Sequence, residues 1–417
     1  MIISKKILVI GSGLSSYFFL KPLKKEIRKD VIVLTGATNY VQNNLKYNLK
    51  EISLTRSNHF KGLSKDWLGS SSKFEIKDSK ITLLSELISI QKYFFDKKII
   101  NERNLDIHNI PENLKKLLIY KSKKLKFTKA INLKNKSNKN ALTSKKSNGI
   151  EYKDFRLIKI NKKGDNYTCD CINKKNKKIT INSEYIIFAS GTIDTSLILL
   201  NLLKINKISF RHQPYFYGFF ITKNKQKNYK NFNYPIISYQ NKFKNIEISG
   251  SLGTLSERVL KYSKLNILNY QIFKPIKKIL FNNFVFFNCF INSKINSLII
   301  KKNKDKFILS SKLKKKDLHK IAKKISDVFF DKLNSVLDNK IIFKKILLPK
   351  IGFDKHYFGI KLKNFVNKSS ALKKHNKIYV VDQSVLNFDT HKFVTFLSIC
   401  NSYRIGKLFN KKVGKSL

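Results

Sequence analysis

The sequence predicts an α/β fold, α+β overall. It combines a Rossmann-like unit, with a parallel sheet and a small antiparallel meander, and an inserted unit of antiparallel sheet and helix. Three observations carry this. An all-apolar strand, residues 7–10, runs through Gly11-Ser-Gly13-Leu-Ser-Ser16 into a helical stretch, and a second apolar strand at 31–34 follows at βαβ spacing. A second strand, glycine turn and apolar helix recurs around Gly191. Between 207 and 350, aromatic strand-like runs precede one long amphipathic stretch at 316–337.

Composition narrows the function classes. The 417 residues suffice for one large bipartite unit or two domains. A net charge of +58 would suit a nucleic acid or an anionic membrane surface. Only seven of the 85 basic residues are Arg, however, and Lys is scattered along the chain beside Asn and Ile. Phosphate and base recognition favours clustered Arg forks, so the scatter reads as compositional bias and no specific nucleic-acid partner is expected. The 4 Cys show no zinc-type spacing and read as reduced cytoplasmic thiols. No transmembrane segment is expected either. The first apolar run is too short for a signal sequence, and the run at 279–300 is broken by Asn282, Asn283, Asn288, Asn292, Lys294 and Asn296. The expected location is cytoplasmic.

In chain order, the first unit places a helix from the glycine turn through about Arg28. Gly11 permits the tight turn, Gly13 lets backbone approach a pyrophosphate, and Ser16 is the small residue where helix meets strand. At the end of the second strand, where an acid usually binds a ribose, stands Thr35, whose hydroxyl can bond it. Residues 37–150 are polar apart from a helical stretch at 83–95 and the segment of Gly62, Ser64 and Trp67, rich in small residues. The Lys/Asn/Ser run at 121–148 reads as a mobile surface excursion. Three short strands (156–160, 167–172 and 178–182) form the meander. Strands at 215–221, 234–239, 246–252, 283–290 and 306–310 then make a sheet covered by the 316–337 helix. The expected division has three cofactor-binding segments, 1–75, 151–215 and 351–417. The excursion at 76–150 separates the first two, and a substrate domain at 216–350 separates the last two.

The last segment looks like a site. His356-Tyr-Phe-Gly359 precedes a strand ending at Asp382, and Asp389-Thr-His391 opens an amphipathic stretch running to Leu408. With Asp389 or Thr390 as N-cap, His391 would lie at a helix N-terminus, where the dipole keeps an imidazole neutral. Two histidines and an acid could also serve a metal or a hydrolytic centre. The lack of a third ligand and of a nucleophile elbow argues against both.

Taken together, the segments resemble the glucose-methanol-choline (GMC) flavoprotein oxidoreductases. The similar stretches come in family order: Gly11 to Ser16, then Gly62, Ser64, Trp67 and Gly69, then Ala189-Ser-Gly191-Thr-Ile-Asp-Thr195, then His212-Gln-Pro214, His356 to Gly359 and 378–404. The sequence departs at Ile360, where the family has Thr, at Leu362-Lys363-Asn364, at Lys392, where it has Pro, and at Thr35. The resemblance implies non-covalent FAD held by Gly11, Gly13, Ser16, Thr35, Gly62, Ser64, Trp67, Gly191 and Asp382. It implies oxidation of the CH–OH group of a small-molecule alcohol or sugar, with an unknown electron acceptor. His356 would be the base, and His391 would hold the substrate oxygen or share its proton. Two other readings stand beside it: a basic nucleic-acid or anionic-surface binder on a Rossmann-like scaffold, and a catalytically degenerate FAD-binding protein.

Overall fold

The computed structural model describes residues 1–36, 45–47, 70–71, 82–99, 101–102, 112–120, 125–129, 131–134, 149–173, 175–223, 237–243, 245–254, 284–304, 306–338, 340–348, 351, 357–360, 365–386, 388–392 and 394–414. The first half of the chain gives β1 (Ile7–Ile10), α1 (Leu14–Leu20), β2 (Val31–Leu34), α2 (Thr82–Asp96), β3 (Glu151–Lys153), β4 (Arg156–Lys163), β5 (Asn166–Ile172), β6 (Lys178–Ser183), β7 (Tyr185–Phe188) and α3 (Thr192–Leu202). There follow β8 (Lys207–His212), β9 (Tyr215–Thr222), β10 (Ile237–Phe243), β11 (Ile246–Thr254), β12 (Phe284–Ile291), β13 (Ser297–Asn303) and β14 (Lys306–Ser311). The chain closes with α4 (Lys315–Val336), β15 (Ile341–Leu347), β16 (Tyr357–Phe358), β17 (His375–Val380) and α5 (Thr395–Val413). Ile2–Ser4, Leu45–Tyr47, Ser70–Ser71, Asn101–Glu102, Leu125–Lys129, Ile131–Lys134 and Ala371–Leu372 are further strands, and Glu112–Ile119 is a further helix.

The sheet that positions the site runs β17-β7-β1-β2-β3, all parallel, with Ala371–Leu372 antiparallel at the β17 edge. Every residue of β1, β2 and β7 is buried, because layers cover both faces. That is why these strands read as unbroken apolar runs. The chain steps outward from β1 through β2 to β3, then returns and steps the other way through β7 to β17. The reversal lies between β1 and β7, and loops leaving neighbouring strands at such a switch point diverge to open a crevice. This is an α/β fold of Rossmann type.

On one face of this sheet, α1 and α5 pack through Phe19, Leu20, Ile405 and Phe409. They approach so closely that a Cβ on Gly406 would meet the Phe19 carbonyl oxygen at 2.2 Å. On the other face lie α3 and the inward side chains of the meander, Tyr167, Cys169 and Cys171 among them. All four cysteines are free and buried. Burial pushes the Cys171 and Cys289 thiols up to about 12, so neither forms a thiolate near neutral pH.

Three expectations change here. The first helix does not continue to Arg28. It stops at Leu20, and a short helix, Lys25–Lys29, follows. Pro22 cannot donate to the turn before it, and Arg28 ties the break by donating to the carbonyls of Lys21 and Leu23. Some of the excursion at 121–148 is ordered strand: Leu125–Lys129 alternates Leu125 and Phe127 into the core and pairs with β10. Finally, 207–350 holds two sheets rather than one. The six-stranded antiparallel sheet runs β15-β9-β12-β11-β10 and ends in Leu125–Lys129, while β16-β8-β13-β14 and Leu45–Tyr47 form another. Pro214, which has no N–H, interrupts the ladder between β8 and β9.

Candidate functional site

The switch point carries two glycine turns side by side. Leaving β1, Gly11 donates to the Leu34 carbonyl at 3.0 Å, and Ala189, leaving β7, donates to the Ile10 carbonyl at 2.9 Å. Gly11 sits at φ +105°, and a Cβ there would meet the Ala189 carbonyl oxygen at 2.4 Å, so only glycine lets the turns lie this close. In front of them there is room. A Cβ added to Gly13 or to Gly191 meets nothing within 4 Å. These two residues are the N-caps of α1 and α3, and neither helix has a side-chain cap. Helix starts whose N-cap is glycine, on neighbouring strands, suit the pyrophosphate of a dinucleotide such as FAD. Ser16 is buried within α1. Thr35 donates through both its backbone N–H, at 2.9 Å, and its hydroxyl, at 3.2 Å, to the Lys153 carbonyl, which leaves the hydroxyl oxygen as an acceptor. Gly62, Ser64, Trp67 and His356 lie outside the described residues.

Asp382 stands just beyond β17, level with the Gly191 turn, and only 2% of it is exposed. One carboxylate oxygen accepts the Gly191 N–H at 2.8 Å and the Thr195 hydroxyl at 2.7 Å. The other accepts the N–H of Ser384 at 2.9 Å and its hydroxyl. Burial pushes this carboxyl above the ordinary range, while the Ser384, Thr195 and Gly191 donors pull the other way. The carboxylate thus points inward and ties the Gly191 turn to the turn after β17. Its sequence-expected bond to cofactor has no open lone-pair direction among those four donors.

The segment that follows His356 is pinned on two sides. Tyr357 pairs with His212 and Phe358 with Arg211, and the Thr192 hydroxyl donates to the Tyr357 carbonyl at 2.9 Å. Gly359 donates to the Gln383 carbonyl at 3.0 Å. The side chain of His212 can also be assigned a proton. Asn296 Oδ1 accepts the Leu313 N–H at 3.0 Å, so Asn296 Nδ2 is the donor to His212 Nδ1 at 2.8 Å. Nδ1 is then an acceptor, and in the neutral ring the proton sits on Nε2.

His391 does not open a helix. The last helix starts at Thr395, and the residues before it form a loop because their hydrogen bonds go elsewhere. Gln213 donates to the carbonyls of Thr390 and Lys392, on either side of His391, at 3.5 and 3.4 Å. Ser293 exchanges two bonds with Thr390: its N–H donates to the Thr390 carbonyl at 2.9 Å, and its hydroxyl accepts the Thr390 N–H at 3.1 Å. The Ser249 hydroxyl donates to the His391 carbonyl, and Arg211 reaches Asp389 at 2.7 Å. Separate segments therefore hold this loop from several sides.

The ring of His391 meets a carboxylate in place of the expected helix dipole. Its Nδ1 lies 3.3 Å from Glu247 Oε2, and the same oxygen accepts Asn292 Nδ2 at 2.8 Å. The carboxylate stands within ion-pair distance of the ring and would stabilise it when it carries a proton. Glu247, Asn292 and Gln213 were missed by sequence reasoning. Glu247 and Asn292 sit in no motif, and Gln213 lies beside His212 in a stretch to which no role was given. The His212-Gln-Pro214 triplet was the one available signal: His212 pairs with Tyr357 and Gln213 holds the His391 loop, so two adjacent residues join both site segments.

Among the described residues, no group of three or more His, Cys, Asp or Glu could hold a metal ion, and no helix is long and apolar enough to cross a membrane. Neither a protein-family model nor a curated protein matches the sequence. The fold, in contrast, is that of a known enzyme. The crystal structure of pyridoxine 4-oxidase from Mesorbium loti superposes with a TM-score of 0.62 over 99% of this chain and 99% of its own, at 10% identity. At that identity the likeness shows the fold.

Proposed function

We propose that this chain is an FAD-dependent oxidoreductase that oxidises the CH–OH group of a small-molecule alcohol. The observation that carries the proposal is the chain of contacts that runs from Thr192, beside the Gly191 turn, to Tyr357, and on through His212 and Gln213 to the His391 loop. FAD, when bound, supplies the hydride acceptor. Gly11, Gly13 and Gly191 offer backbone to its pyrophosphate, Ser16 lets α1 pack close beneath the turn, and Thr35 offers an oxygen to its ribose. By resemblance Gly62, Ser64 and Trp67 would contact it as well, without a covalent bond. Asp382 acts by fixing the Gly191 turn.

The chain's own chemistry is proton handling and orientation. His391 is assigned the substrate oxygen or its proton, with the Glu247 carboxylate 3.3 Å from Nδ1, and His356 is assigned the role of base by resemblance. The division into five segments and a cytoplasmic location belong to the same proposal. Full-coverage likeness to the fold of an oxidase supports it.

The test is direct. The purified chain should show a flavin spectrum in the visible, released by denaturation, and an alcohol should bleach it under anaerobic conditions. A colourless protein that takes up no FAD would sink the proposal. Bound flavin that no alcohol reduces would favour the degenerate reading, and an unaltered reduction rate in His356→Ala would remove that residue as base.

A further inference from the structure

One outer edge of the six-stranded antiparallel sheet is β15, which pairs on one side only, with β9. Ile342, Phe343, Lys344 and Lys345 are all exposed, so the middle of this strand stands clear of the molecule on both faces. Two of the four are large and apolar: Ile342 is 63% exposed and Phe343 47%. Their apolar surface continues inward. The Phe343 ring lies 5.8 Å from that of the half-buried Phe219, which stacks on Phe284 at 4.4 Å. Side chains of this kind, held in water on a strand, gain free energy when an apolar phase covers them.

The surroundings of the pair are basic. Lys340 precedes it, Lys344 and Lys345 follow it, and the run 340–350 contains no acid. The Lys223 N–H donates to the Lys340 carbonyl at 2.8 Å, which brings a further lysine to the same edge. Asp338, the acid just before the run, is taken up by Lys116 at 2.7 Å and by Lys340 at 4.0 Å. Lys344 lies over the Phe330 ring at 5.2 Å, so its stem covers the α4 side and leaves the apolar pair in front.

Two features argue against another strand as the covering partner. The register with β9 shifts where Ile221 faces Phe343 and Thr222 faces Ile341, so Ile342 is an extra, bulged residue. A bulge and adjacent lysines stop an edge from pairing, and a second copy would set lysine against lysine. Nucleic acid is the poorer match as well, because lysine lacks the planar fork that reads bases and phosphates. Apolar side chains flanked by lysines match the interface of an anionic bilayer. There the apolar groups enter the headgroup boundary, and ammonium groups meet lipid phosphates and carboxylates. Shallow insertion also leaves the outward N–H and C=O groups of the edge strand in contact with water.

We propose that β15 is a membrane-docking edge: Ile342 and Phe343 enter the interface of an anionic lipid surface, and Lys223, Lys340 and Lys345 hold its headgroups. The inference goes beyond the flavoenzyme reading and does not depend on it.

Because a net charge of +58 draws the chain to any anionic surface, the test compares variants of equal charge. The full chain is sedimented with vesicles of phosphatidylcholine containing about 30% phosphatidylserine. It should bind them, and Ile342→Ser/Phe343→Ser, which leaves the charge unaltered, should weaken binding about tenfold. Lys340→Gln/Lys345→Gln should also weaken it about tenfold. Lys159→Gln/Lys178→Gln, which removes the same charge from the meander, should change it by less than about twofold. A second readout locates the contact. All four native cysteines are buried, so a nitrobenzoxadiazole label can be directed to Phe343→Cys or, as a control, to Lys159→Cys. The label on Phe343→Cys should brighten when vesicles are added, and the label on Lys159→Cys should not. No binding, binding that the serine variant leaves unchanged, or equal responses from the two labels would overturn the proposal. So would a DNA duplex that the chain binds more tightly than the vesicles and that the serine variant releases, or a dimer in solution that this variant dissociates.

Discussion

Glu247→Gln keeps an oxygen acceptor beside His391 and removes one negative charge. Two unit charges 3.3 Å apart attract by about 1.3 kcal/mol at the dielectric of water and by about 5 kcal/mol at an effective value near 20. The Glu247 side chain is 47% exposed and that of His391 16%, so solvent screening favours the lower end of that range. A loss of about 1.5 kcal/mol corresponds to roughly a tenfold slower step whenever His391 gains positive character. The assay is anaerobic stopped-flow reduction of bound flavin. The limiting rate should fall about tenfold, and KM should change by no more than about twofold, because the carboxylate acts on the ring and not on bound alcohol. Asn292→Ala, which releases Glu247, should fall in the same direction by less, and the double variant should fall no further than Glu247→Gln alone. An unchanged limiting rate in Glu247→Gln, or a loss confined to KM, would refute the assignment of Glu247 as the residue that fixes the ring.

Three further substitutions probe how the site is held. Gly406→Ala places a methyl 2.2 Å from the Phe19 carbonyl oxygen and should cost about 2–3 kcal/mol in denaturant unfolding, since α1 and α5 must separate; an unaltered midpoint would show that the crossing is loose. Gln213→Leu removes two long bonds to the His391 loop and also a buried Oε1 that finds no hydrogen-bond partner. Stability should therefore change by less than about 1 kcal/mol while the rate of flavin reduction falls, and an unchanged rate would remove the clamp. Asp382→Asn leaves donors facing an amide nitrogen and should destabilise the chain by about 1–3 kcal/mol. Its pH dependence has a defined sign. Burial raises the folded pKa, so the group's contribution is fully present below the unfolded value of about 3.9 and is lost as pH rises through the folded value. The stability gap between wild type and Asp382→Asn should narrow from pH 4 to pH 7; a widening gap would mean that the four donors outweigh burial.

How much of the fold and the site was legible in the sequence depended on whether the signal was local. The glycine turns could be read because a strand, a turn and a helix within some fifteen residues make a nucleotide cradle, and their apolar strands report burial on both faces. The amphipathic α4 was likewise visible within two residues of its ends, 316–337 against Lys315–Val336. What failed was everything set by partners far along the chain. The stretch from Asp389 has capping residues and an apolar stripe, yet Gln213 and Ser293 take the carbonyl and N–H of Thr390 before a helix can use them. The sheet boundary at Pro214 was likewise hidden, since strand content alone does not say which strands pair. Glu247 carried no signal at all: an acid on a strand meets a histidine far along the chain only because β11 turns its Glu247 face toward the loop.

The departures from the family pattern become intelligible in the geometry of that loop. Where the GMC enzymes have Pro after the second site residue, this chain has Lys392, and the Lys392 N–H donates to the Thr390 hydroxyl at 2.9 Å. A proline could not make that bond. That bond closes a side-chain-to-backbone turn over Thr390–Lys392, which holds the backbone around His391. Ile360 follows the same logic. Its N–H donates to the Ser384 carbonyl at 2.6 Å, holding the strand beside Asp382, while its side chain is buried in the main core. Residue 360 is anchored through its backbone and packed through its side chain. The Glu247 variant alters charge without altering position, and so separates the electrostatic part of the Glu247–His391 pair from its geometry.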